Sequence, residues 1–190
     1  MADAAGVTCA VYAFREGAFS ALGHDLELQV TELTVEIAED LSVRASCRTD
    51  PVRVVGVLRQ GDTAAVDERL PSPSDRQSIE RNVAQDVLEA QRYPQATFRS
   101  TRVEPLPGEG DRYRVVGLLD LHGAVKEMTF TAERRGDRAV ARLTLNQPDF
   151  RIKPFRAMMG ALRVKPEVVL EVSVPWPSDQ RGKTKGAAAS

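Results

Sequence analysis

The stretch from Tyr93 to Phe130 leaves the chain few folds to choose from. Tyr93-Pro94-Gln95-Ala96-Thr97-Phe98 follows directly on a segment of helical spacing and reads as a helix exit running into a strand. Pro105, Pro107, Gly108 and Gly110 cannot continue that strand and mark a hairpin loop. Tyr113 to Leu121 is a second strand, His122-Gly123-Ala124 a tight turn in which glycine tolerates backbone angles other residues resist, and Val125 to Phe130 a third strand. Three consecutive antiparallel strands make a meander, and a meander must enclose something.

The flanking segments extend it. Val7 to Arg15 reads as a strand with Val7, Cys9, Val11 and Ala13 in one phase, followed by a glycine-bounded connector, 17–23. Leu26, Leu28 and Val30 share one phase, whereas Leu33, Val35 and Ile37 share the opposite one. A change of phase at Thr31-Glu32 requires a bulge or bend, because one extra residue turns the apolar set to the other face. A hairpin through Glu39-Asp40 leads to Val43, Ala45 and Cys47, and Thr49-Asp50-Pro51 interrupts the run before Val52 to Leu58.

Residues 60–73 form a polar loop. Ser74 with Gln77 resembles a capping box, and Ser72 followed by Pro73 is the competing helix start. Ile79, Val83, Val87 and Ala90 recur at three- and four-residue steps, which predicts an amphipathic helix of about four turns ended by Pro94. Ala139 to Leu145 is a further strand, 146–165 a loop or irregular flap, and Glu167 to Val174 a final strand stopped by Pro175-Trp176-Pro177. Eight or nine antiparallel strands and one helix, without βαβ alternation, predict a mainly all-β fold. The long bent strand favours an up-and-down barrel of about eight strands over a sandwich. Residues 7–175 make one domain, with 1–6 a flexible start and 176–190 a disordered tail.

A net charge of −1 and no basic run argue against binding nucleic acid through its phosphates. No apolar run reaches the ~18 residues of a membrane span, so stable insertion is not expected. The start of the sequence carries no secretory pattern, and the expected location is cytoplasmic, with Cys9 and Cys47 as reduced, buried thiols. A homodimer is left open.

The chemistry-bearing residues are sparse. Ser20, His24 and Asp25 lie close together, but in a strand Asp25 points away from His24 and no Gly-x-Ser-x-Gly elbow is present, so no catalytic residue is assigned and hydrolase-like chemistry at His24 is kept only as a lesser alternative. His122 at its turn is expected to be exposed. Two distant histidines without ligand spacing predict no metal site, and no cofactor is expected beyond a bound lipid-like molecule.

The apolar interior carries more. By alternation Phe98, Tyr113, Val115, Leu119, Leu121, Met128 and Phe130 face inward on the meander, with Gly117 leaving room in the same phase. Leu26, Leu28, Val30, Val168, Leu170 and Val172 are inward candidates on flanking strands. Phe150, Phe155, Met158, Met159 and Leu162 suit a mouth or lid, with Arg151, Lys153, Arg156 and Arg163 as contacts for an acidic head group. Eight strands leave an interior either just filled by side chains or wide enough for one small ligand. The sequence therefore supports two functions: non-enzymatic carriage of a lipophilic small molecule, or a filled barrel acting as a protein-interaction module.

The runs "RYPQATFRS", "YRVVGLLDLHGAVKEMTF", "LTLNQPDFRIKP" and "KPEVVLEVSV" resemble the YceI-like family of polyisoprenoid-binding, lipocalin-like proteins. "FSALGHDLEL" and "SDRQSIERNVAQDVLEAQRYP" resemble one branch of it. The resemblance spans about Val7 to Pro175. It implies an extended antiparallel barrel with a packed helix and an elongated apolar interior for an isoprenoid chain. Two features depart from the family pattern: no export signal is expected from the start of the sequence, and the usual Gly-Val-Thr turn appears as Gly123-Ala124-Val125.

Overall fold

The computed structural model describes residues 6–16, 25–59, 62–67, 71–108, 110–160 and 162–177. The flexible start and disordered tail expected at the termini fall almost wholly outside them.

The strands are β1 (Thr8–Glu16), β2 (Asp25–Val30), β3 (Leu33–Ile37), β4 (Val43–Arg48), β5 (Val52–Arg59), β6 (Asp62–Asp67), β7 (Gln95–Pro105), β8 (Arg112–Leu121), β9 (Ala124–Arg135), β10 (Arg138–Asn146), β11 (Arg156–Ala157) and β12 (Leu162–Pro175). All join one antiparallel sheet in the order β3-β4-β7-β8-β9-β10-β12-β1-β2-β5-β6, with β11 on β12. The expected barrel with one helix is present as a curled sheet of twelve segments rather than about eight strands. Two of the extra segments arise because long strands break where they bend; the other two are β6, a strand inside the 60–73 segment expected to be a loop, and β11, inside the expected flap. β2 and β3 are the two halves of the strand expected to kink at Thr31-Glu32, and β4 and β5 are the two halves of its partner.

The break is held by specific bonds. Val30 pairs with Val52 on one side of it and Leu33 with Cys47 on the other. Between them Arg48 N–H donates to Glu32 O at 3.0 Å, and Thr31 Oγ1 donates to Pro51 O at 3.0 Å. One long hairpin thus pairs with β1 through β2 and with β7 through β4, at opposite ends of the ladder.

The meander follows the sequence reading. β8 and β9 are joined by His122 and Gly123, with φ of 53° and 70°, the left-handed pair that a two-residue hairpin turn requires. Gly117 does not leave a vacancy. A Cβ there would lie 2.4 Å from Phe98 Cζ and 2.6 Å from the Arg99 carbonyl, so the glycine lets the ring and the neighbouring strand close over the backbone.

Helix α1 (Pro73–Asn82) starts at the competing cap. Ser72 Oγ accepts from Asp75 N–H at 3.2 Å with Pro73 in the first turn, so the Ser74 box is not the start. The helix also ends earlier than Pro94. It widens into a π-turn over Val83–Val87, Leu88 N–H reaches back to Val83 O, and Glu89 turns left-handed at φ 43°. Glu80 fixes α1 to the sheet. Its Oε1 accepts from Val54 N–H at 3.0 Å, beside the bulge where β2 and β5 slip register, and its Oε2 meets Arg53 Nη1 at 3.2 Å.

The 146–165 segment is more ordered than a flap. It holds a 3₁₀ turn over Gln147–Phe150 and a short hairpin in which Arg156 pairs with Arg163 and Ala157 with Leu162. Leu162 and Arg163 therefore begin the last strand.

Gly117→Ala should destabilise the fold by ~1–3 kcal/mol, since the added methyl meets a backbone carbonyl as well as the Phe98 ring. A urea titration reads the loss; an unchanged midpoint would show that the strands separate freely there.

Candidate functional site

Inside the curled sheet, between its inner face and α1, lies a cavity of about 390 Å³. From β1 it takes Cys9, Val11, Ala13 and Arg15, one face of a strand at alternate positions. From the helix and its π-turn it takes Ile79, Asn82, Val83, Val87 and Leu88, so the apolar stripe of the helix is its cover. Arg15 lies six residue steps from Cys9, which at ~3.3 Å per strand residue makes the lined wall about 20 Å long. Apolar side chains such as Val11, Leu26, Leu119 and Leu170 are only half-buried, because they face this unfilled space rather than one another.

Leu26, Leu28 and Val30 line the cavity from β2, Leu119 and Leu121 from β8, and Leu162, Val168 and Leu170 from β12, with Phe155 beside them. The remaining inward candidates do not line it. Phe98 and Phe130 stack on each other at 5.6 Å, Tyr113 packs on Trp176 at 5.5 Å, and Val115 is buried at 3 % exposure. Met128 packs against the cluster of Ala124, Leu145, Phe150 and Ile152. These residues share the inner phase, but aromatic rings fill their part of the interior. Val172 sits opposite Cys9 in register and also stays off the lining.

The lid expectation divides. Phe150, at 1 % exposure, is a core residue rather than a mouth residue, because the 3₁₀ turn tucks it beneath the β8–β9 turn. Met159 is fully exposed with left-handed backbone. The side chain of Met158 lies outside what is described. Of the four cations, Arg151, Lys153 and Arg156 are exposed and only Arg163 reaches the cavity.

His122 is buried at 5 % exposure, not exposed as its turn position suggested. Its Nδ1 lies 3.2 Å from Phe150 O, its Nε2 lies 3.5 Å from Glu89 Oε1, and its ring packs on Tyr93 at 4.2 Å. Tyr93 also covers Gly123, where a Cβ would sit 2.8 Å from the ring. The helix exit, the β8–β9 turn and the 3₁₀ turn therefore meet on one imidazole. His24 and Ser20 lie outside the described residues. Asp25 is buried and accepts from Arg15 N–H at 2.8 Å.

Sequence reasoning missed Arg15, Arg48, Thr49, Asn82 and Gln147 among the polar residues of the lining. Arg15 was within reach, since it continues the phase of Val11 and Ala13. Gln147 was not, because only tertiary packing carries its Nε2 to the Lys165 carbonyl at 3.0 Å. Among the described residues no group of three or more histidine, cysteine or acidic side chains is placed to hold a metal ion, and no helix is long and apolar enough to cross a membrane.

A family model for the YceI-like domain matches residues 16–175. The chain belongs to the YceI-like family. Solved structures of similar fold include Burkholderia cenocepacia BcnA, with a TM-score of 0.57 at 16% identity, covering 88% of this chain and 94% of the other. A Saccharophagus degradans polyisoprenoid-binding domain, implicated in plant cell wall breakdown, gives 0.52 at 12% identity, with 90% and 94% covered. The Campylobacter jejuni YceI protein gives 0.53 at 14% identity, with 78% and 82% covered. No curated protein matches the sequence. The likeness to these structures shows a shared YceI-like fold.

In this YceI-like interior both cysteines are free and line the cavity. Burial, with Cys47 adding to it, pushes the Cys9 thiol up from 9.0 to about 12; burial raises Cys47 as well. Between those two values the folded chain keeps a proton that the unfolded chain has lost. The stabilisation is complete below pH 9.0 and is lost as pH rises toward 12. Tyr12, also shifted upward by burial, acts in the same direction, so the test is a difference. Cys9→Val should lose less stability than the parent chain between about pH 8 and about pH 10.5, read by urea unfolding. Equal losses would place the Cys9 thiol in contact with water.

Proposed function

We propose that this chain binds a lipophilic molecule in the cavity between α1 and the barrel's inner face, and carries it without chemical change. The observation that supports this reading is the cavity itself. It is an elongated space of about 390 Å³ whose walls are mostly aliphatic and which the chain's own side chains leave unfilled. That volume falls within the range of small-ligand pockets, and apolar voids of this kind take up apolar guests. A filled barrel acting only through its surface would have no reason to keep it, since unfilled core volume costs stability.

The Saccharophagus neighbour, a polyisoprenoid-binding domain, fits the same chemistry and suggests an isoprenoid-like chain. Size refines this. At about 30 Å³ per water-sized unit, the space takes on the order of a dozen such units, a short hydrocarbon chain or the terminal part of a longer one. Burying apolar ligand surface contributes roughly 25 cal/mol per Å² before the costs of association, so tight binding needs no catalysis.

Native mass spectrometry of protein purified from its own host without detergent, followed by organic extraction, should reveal one lipophilic species. Ala13→Phe projects a ring into the cavity and should weaken binding of the neutral probe N-phenyl-1-naphthylamine ten-fold or more while the chain stays folded. A bare polypeptide mass together with no probe binding would overturn the carrier reading.

A further inference from the structure

The cavity carries a few polar side chains among its aliphatic walls. Three arginines line it, Arg15, Arg48 and Arg163, and among the described residues no acidic side chain does. Arg48, the last residue of β4, is engaged elsewhere, with its Nε 3.7 Å from the Glu32 carboxylate and 3.4 Å from Asp50 O. Arg15 and Arg163 lie together on adjacent strands, where Arg15 pairs with Val164 and Glu16 with Arg163. The Arg15 Nε is 3.8 Å from Asp25 Oδ1, whose carboxylate also accepts the Arg15 amide. Asp25 thus serves Arg15. The Arg163 Nε is buried and, among the described residues, has no hydrogen-bond partner. Glu16, opposite it across the strand pair, forms no ion pair with it among the described contacts.

A buried guanidinium N–H without an acceptor is costly, and native structures rarely keep one without a use. Arg163 belongs to the lining of an apolar cavity, at the end remote from Cys9, about 20 Å along β1. An aliphatic tunnel finished by one undersupplied guanidinium matches a molecule with an apolar chain and an anionic tip. The guanidinium offers two parallel N–H donors to a carboxylate or a phosphate, and such charge-assisted pairs are about twice as strong as neutral ones.

We infer that the ligand is a single-chain amphiphile with an anionic head, held with that head at Arg163 beside Arg15 and its chain running toward Cys9 and Cys47. This rests on the proposed carriage of a lipophile in the same cavity. The exposed Arg151, Lys153 and Arg156 take no part in it. The shared chemistry is the anion, and its two sources are a fatty carboxylate and an isoprenyl phosphate.

The test uses the full chain and four probes matched in pairs: dodecanoate with dodecanol, and farnesyl monophosphate with farnesol. Each is titrated against bound N-phenyl-1-naphthylamine. The anionic member of at least one pair should compete ten-fold or more better than its neutral partner, and the pair showing the larger ratio identifies the source. Arg163→Gln, which keeps a polar side chain and loses the charge, should bring that ratio close to one while leaving the neutral partners unchanged. The unchanged neutral affinity also shows that the variant is folded. Equal competition by charged and neutral members in the parent chain would overturn the head-group assignment and leave the carrier reading standing. Failure of all four to displace a bound probe would overturn both. A ratio that survives in Arg163→Gln and collapses in Arg15→Gln would move the head to the other arginine and refute the assignment to Arg163.

Discussion

The fold depends on one bent hairpin. A flat antiparallel meander of this length would leave two long edges and an apolar face in water. Here β2–β3 and β4–β5 run together past a shared break, where Arg48 N–H and Thr31 Oγ1 reach across to Glu32 O and Pro51 O. Because the break redirects the hairpin without unpairing it, its two halves serve opposite ends of the ladder, β2 on β1 and β4 on β7. The sheet therefore curls. Thr49 ties the corner to the helix exit, with its N–H on Pro94 O at 3.1 Å and its Oγ1 on Tyr93 O at 2.6 Å.

Curling encloses an interior that the side chains fill unevenly. Where the strands carry Phe98, Tyr113 and Phe130, rings meet one another and Trp176, and the space is solid. Where they carry Val11, Ala13, Leu26 and Leu119, the opposing walls do not meet, and the helix closes over the gap with Ile79, Val83 and Val87. Glu80 holds that cover by taking the amide that the β5 bulge frees at Val54. At the other end of the helical segment, Tyr93 and His122 lock its exit against the β8–β9 turn. The cover is thus fixed at two points, and the void beneath it is part of the architecture.

Much of this was legible in local pattern. Alternation placed Leu26, Leu28, Leu119, Leu121 and Leu170 on the inner face, and all line the cavity. The phase change at Thr31-Glu32 announced the bend, because one residue of slip exchanges the faces of a strand. Alternation could not separate lining residues from packed ones, since Phe98 and Leu119 have the same inward phase and differ only in what stands opposite. Nor could the sequence show that Gly117 is filled by the Phe98 ring rather than vacant. His122 was misjudged for a related reason: a two-residue turn is usually wet, and only the arrival of Tyr93 and Phe150 from distant positions buries this one.

The sequence by itself determined the antiparallel order, the hairpin turns, the bend and the single helix, because each rests on periodicity and backbone preferences within a few residues. The tertiary structure decided that the interior is hollow, that the helix is its cover, and that Arg163 alone among the four expected cations reaches it. Those facts depend on distances between segments far apart in the chain. Hollowness in particular is set by which opposing walls fail to touch, and no local pattern encodes a contact that is missing.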